Sequence, residues 1–160
     1  MKKSQIRCIV GNAIVWLSSI LILGFFALNL IEGGVANSIY GGITHLATAA
    51  GPNIALYIVA NAFYILTLIL TIAMFIESTL GLFGGIFDIR GLNMTVANRV
   101  LSIIIMLSAL VSLVLMIVYV ATLAVPGTSV GAGPITVFLI SILAVVGAFV
   151  AQTRRIYRNN

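Results

Sequence analysis

The sequence is short of charged residues, which occupy 7% of its 160 positions. An ordinary water-soluble domain contains about 25% charged residues and about 45–50% apolar ones. Here 62% of the residues are hydrophobic, and a water-soluble fold of this length could not remove so much apolar surface from water. The composition therefore predicts an integral membrane protein that forms one compact bundle.

Cysteine and histidine are nearly absent, with one of each, Cys8 and His45. A single cysteine excludes an intramolecular disulfide, and one His with one Cys on opposite sides of a membrane cannot form a metal site within a chain. Bis-histidine ligation of a haem within one chain is excluded in the same way. We therefore predict no metal site and no cofactor. Cys8 is interpreted as a small buried apolar residue, with palmitoylation at the membrane boundary as the alternative.

Acidic residues are also scarce, since Glu32, Glu77 and Asp88 are the only three. A membrane enzyme this small needs ionisable groups inside its spans, and no predicted span has a charge near its centre. Glu32 and Glu77 lie at opposite sides of the predicted membrane layer and cannot act as a paired acid and base within one subunit. The sequence therefore predicts no catalytic residue and no enzyme activity.

Four apolar stretches without charge make up most of the chain. Crossing a hydrocarbon layer of ~30 Å takes about 20 helical residues, and backbone groups in lipid must bond within their own segment. We therefore predict an all-α, up-down-up-down four-helix membrane bundle with spans at 9–31, 54–76, 100–125 and 135–152. Pro126 and Pro134 bracket the glycines that separate the last two spans, and Pro134 suits a first helical turn.

The eight Lys and Arg residues fall on one side of this arrangement. They precede the first span, lie between the second and third, or follow the fourth, and the opposite connections, 32–53 and 126–134, contain none. Because Lys and Arg mark the cytoplasmic side, we predict a cell-membrane protein with both termini cytoplasmic. The cations form no basic face, so nucleic acid is not predicted as a partner. The first apolar run is too long for the core of a signal peptide, about 7–15 residues, so cleavage is not predicted.

Two connections are more apolar than ordinary loops. Residues 35–50 are predicted to form a short interfacial or re-entrant helix, limited by glycines and a proline. Residues 79–92 contain glycines among large apolar residues, and they are predicted to lie on the membrane surface with Asp88 and Arg90 facing water.

Polar residues in the second and third spans recur at spacings of three or four, which places them on one face of each helix. Such faces hydrogen-bond across helix interfaces in a bundle, and the alternative is a polar pathway for a substrate. The fourth span contains a small-xxx-small pattern that permits close packing. The candidate packing or pathway residues are Tyr57, Asn61, Tyr64, Thr67, Thr71, Ser102, Ser108, Ser112, Gly147 and Ala151.

Four charged residues are assigned to the inner membrane interface as ion pairs or lipid contacts: Glu77, Asp88, Arg90 and Arg99. Arg99 is expected to extend toward the inner headgroups. There it would bind anionic lipid together with Arg90 or pair with Glu77, while Glu77 could equally pair with Arg90.

These features favour a non-catalytic structural or assembly subunit of a multi-subunit membrane complex. Its predicted partners are membrane lipids and either other membrane subunits or further copies of itself. One alternative is a small oligomeric transporter or channel with a path lined by the second and third spans. A further alternative is a membrane-embedded coat protein of an enveloped particle.

Overall fold

A computed structural model describes residues 3–32, 53–87, 95–123 and 127–151. Within these ranges the chain forms four long helices and two very short strands. The helices are α1 (Lys3–Phe25), α2 (Ile54–Ile86), α3 (Thr95–Leu123) and α4 (Ala132–Val150), and the strands are β1 (Ile31–Glu32) and β2 (Ser129–Val130). Each of the four helices is long and apolar enough to cross a membrane. The prediction of an all-helical, multi-pass membrane architecture is confirmed at that level.

The second helix is longer than its predicted span. α2 has 33 residues, or ~50 Å at ~1.5 Å per residue, and it passes through Glu77, where the sequence indicated its end. The hydroxyl groups that follow Glu77 do not interrupt the helix, because Ser78 and Thr79 donate to the carbonyl of Phe75 at 3.0 and 2.7 Å.

Residues 79–86, predicted to belong to a separate interfacial segment, instead continue α2. Glycines in this region let α2 approach α1 closely: a side chain at Gly81 would meet Asn12, and one at Gly85 would meet Ile9. Residues 88–92 and the predicted interfacial helix 35–50 lie outside the described residues.

The other helix bounds also differ from the predicted spans. α1 ends at Phe25, six residues before the predicted end, because the chain turns there and then pairs as β1. α3 begins at Thr95, ahead of Arg99, which the sequence placed just outside the span. α4 begins at Ala132, and Pro134 lies in its first turn as predicted.

The four helices form a closed bundle in which each helix packs against two neighbours. α1 and α3 each contact both α2 and α4, whereas α1 and α3 lie diagonally and barely touch. We call the end at which α1 begins and α4 ends the terminal end. The opposite end, which contains β1 and β2, is called the strand end.

The strand end is held together by backbone hydrogen bonds. β1 and β2 pair antiparallel, with Ile31 opposite Val130. The amides of Gly131 and Gly133 donate to the carbonyls of Leu30 and Asn29 at 2.8 and 3.0 Å. The segment after α1 is therefore fixed to the start of α4.

The interior and exterior of the bundle differ in chemistry. Large apolar side chains such as Tyr64, Met74 and Met116 fill the core and are almost fully buried. Large aliphatic side chains cover the outside on every helix, for example Leu17, Ile69, Val96 and Leu139. Several polar side chains are buried as well, so the bundle differs from a water-soluble one mainly in its apolar exterior, which suits a lipid solvent.

Candidate functional site

The polar stripe of α2 points into the bundle. Its candidate residues Tyr57, Asn61, Tyr64, Thr67 and Thr71 are all buried. Asn61 donates to the carbonyl of Tyr57 at 2.8 Å, Thr67 to that of Phe63 at 2.8 Å, and Thr71 to that of Thr67 at 2.7 Å. Asn61, Thr67 and Thr71 therefore donate to the backbone of their own helix, as Ser and Thr commonly do in apolar surroundings.

The stripe of α3 connects to α2 directly. The hydroxyl of Ser108 donates to the carbonyl of Phe63 at 3.0 Å, and that of Ser112 donates to the carbonyl of Ala60 at 2.9 Å. Both bonds cross the α2–α3 interface. Ser102 differs, because its hydroxyl donates to Arg99 in the preceding turn of its own helix. The polar stripes of α2 and α3 thus meet at the α2–α3 interface. Ser108 and Ser112 provide the hydrogen bonds that connect the two helices there.

Aromatic rings occupy the part of the interior that lies nearest the strand end. The rings of Tyr57 and Tyr119 lie 4.9 Å apart, and those of Phe26 and Tyr64 are stacked at 4.1 Å. The Tyr64 hydroxyl is buried and has no hydrogen-bond partner in the described part of the chain. It lies against Gly133 at the start of α4, where a side chain would approach it to 3.0 Å. The rings fill this end of the interior with tightly packed aromatic surface.

Asn12, which the sequence analysis did not single out, links the two diagonal helices. The amide of Asn98 donates to Oδ1 of Asn12 at 2.9 Å. Nδ2 of Asn12 donates to the carbonyl of Cys8 at 3.0 Å and contacts its sulfur at 3.4 Å. Cys8 is buried, as the packing interpretation expected. The available signal for Asn12 was an amide side chain within a mostly apolar run.

The small residues of α4 pack against α1. A side chain at Gly147 would collide with Ile14, and a side chain at Gly11 would collide with the backbone of Ala151. The helices approach so closely that only hydrogen fits at both glycines. The Gly147-x-x-x-Ala151 pattern therefore has α1 as its packing partner within the chain.

Arg99 binds the end of α4. Its Nε donates to the carbonyl of Ala148 at 3.0 Å and its Nη2 to that of Ala151 at 2.8 Å. The guanidinium also lies 5.3 Å from the centre of the Phe149 ring. A cation at this position satisfies carbonyls that a helix end leaves unpaired and interacts favourably with the helix dipole. Among the described residues Arg99 makes no ion pair with Glu77, while Asp88 and Arg90 lie outside them.

Glu77 lies deeper in the bundle than the sequence suggested. Trp16 stacks with Phe75 at 6.1 Å between ring centres, and Asn12 touches Gly81. Since Glu77 lies between Phe75 and Gly81 on α2, its level on α1 is between Asn12 and Trp16. Both of these residues are well inside the candidate span Gln5–Phe25. Glu77 therefore lies within α2, which is long and apolar enough to cross a membrane, and not at the end of that helix.

The described residues contain no group of three or more His, Cys, Asp or Glu side chains that could hold a metal ion. The candidate residues instead form a packed polar interior, which extends from Asn12 and Asn98 near the terminal end to the tyrosines near the strand end. Comparison of the chain with protein-family models, with curated proteins and with solved structures finds no match to any of them.

Proposed function

We propose that this protein is a non-catalytic structural or assembly subunit of a multi-subunit membrane complex. The observation that supports this most directly is the use of its polar side chains. Asn61, Thr67, Ser108 and Ser112 all hydrogen-bond to helix backbone inside the bundle. The bonds from Ser108 and Ser112 join α3 to α2 and stabilise helix packing, whereas those from Asn61 and Thr67 lie within α2. Polar groups that are bonded to backbone in this way offer little to a substrate.

The outer surface supports the same role. Aliphatic side chains cover it on every helix, and many of them are half exposed. Such a surface is compatible with lipid and with the transmembrane helices of other subunits. The proposed partners are therefore membrane lipids and either other membrane subunits or further copies of the chain.

The proposal includes an orientation. The helices would run up-down-up-down across the cell membrane with both termini cytoplasmic, because every Lys and Arg would then lie on the cytoplasmic side. Reporter enzymes fused after residue 160 and within the 32–53 connection test it. We expect a cytoplasmic signal from the first fusion and an external signal from the second, and the reverse pattern would contradict the orientation.

A second candidate is a small oligomeric transporter or channel, and Glu77 is the observation that favours it. Ionisable residues inside membrane helices often mark ion pathways. Asn61→Leu separates the two functions, because it removes the hydrogen bond to Tyr57. A packing role predicts weaker assembly with this variant, whereas a pathway role predicts lost cation flux into proteoliposomes while assembly is retained.

Native mass spectrometry after gentle extraction from the native membrane tests the structural role. We expect the chain to leave the membrane in a defined complex, either with other subunits or with copies of itself. Recovery of the monomer alone, under conditions that preserve a known membrane complex of the same source, would contradict the proposal.

A further inference from the structure

We draw no further inference here: the strongest candidate, the buried hydroxyl group of Tyr64 beside Gly133 at the start of α4, belongs to the aromatic packing at the strand end already described, and no second observation in the part of the chain that the structure describes points to a ligand there.

Discussion

Asn98 of α3 donates its side-chain amide to Oδ1 of Asn12 on α1, and the 2.9 Å bond joins the two helices that lie diagonally in the bundle. Both side chains are fully buried. Neighbouring helices in the bundle contact each other extensively, but the diagonal pair has little other contact. This hydrogen bond therefore constrains the distance between α1 and α3. Packing between neighbouring helices constrains that distance less.

Replacing Asn98 by Leu should destabilise the bundle. The substitution leaves the Asn12 carbonyl oxygen without its donor in an apolar interior, and we expect a loss of about 1 kcal/mol. Reversible unfolding in mixed detergent–SDS micelles, followed by the fluorescence of the single Trp16, measures it. Ser102→Ala is the matched control, because Ser102 is equally buried but bonds only within its own helix. An equal effect of both substitutions would argue against a special role for the diagonal bond.

Ser112→Ala should weaken the contact between α2 and α3. The hydroxyl of Ser112 donates across the interface to Ala60 at 2.9 Å, and bonds of this kind contribute about 0.6 kcal/mol on average in membranes. We expect a loss of that size in the same unfolding assay. Thr136→Ala removes a hydroxyl that bonds within the first turns of α4, and it should change stability less. The reverse order would contradict the cross-helix assignment.

The sequence predicted the parts of the fold that depend on local chemistry. The lengths of the apolar stretches predicted four helices. The spacing of the polar residues predicted which face of α2 and α3 points inward, as seen for Thr67, Thr71, Ser108 and Ser112. The length of α2 was not predictable, because Glu77 and the following glycines resemble a helix end. In the fold Gly81 and Gly85 lie against α1, and that contact depends on the tertiary arrangement.

The partners of individual side chains were also beyond the sequence. Asn12 and Asn98 are 86 residues apart, and no local pattern pairs them. Arg99 was expected to reach lipid, Arg90 or Glu77, but its donors bind carbonyls at the end of α4. Unpaired carbonyls occur at every helix end, so a sequence does not specify which of them a nearby cation will bind.

Arg99→Gln should loosen the terminal end of the bundle. The guanidinium makes two hydrogen bonds to the end of α4 and lies over Phe149, and its removal should cost about 1–2 kcal/mol. Hydrogen exchange should then accelerate mainly at the last amides of α4. Arg7→Gln removes the same charge from an exposed side chain and should leave these amides protected. Equal exchange in both variants would attribute the effect to net charge.

Gly11→Ala should separate α1 from α4. The added methyl group would overlap the backbone of Ala151, which cannot move aside as a flexible side chain can, and overpacking of this kind costs about 1–3 kcal/mol.

Gly24→Ala on the same helix is a direct control, because a methyl group there meets nothing within 4 Å. Alanine is also the better helix former, by about 1 kcal/mol at most, so Gly24→Ala should be neutral or stabilising. Unfolding midpoints that shift in opposite directions, down for Gly11→Ala and level or up for Gly24→Ala, would confirm that α1 and α4 touch through backbone at the terminal end. A tolerated methyl group at Gly11 would mean that the two helices lie farther apart there.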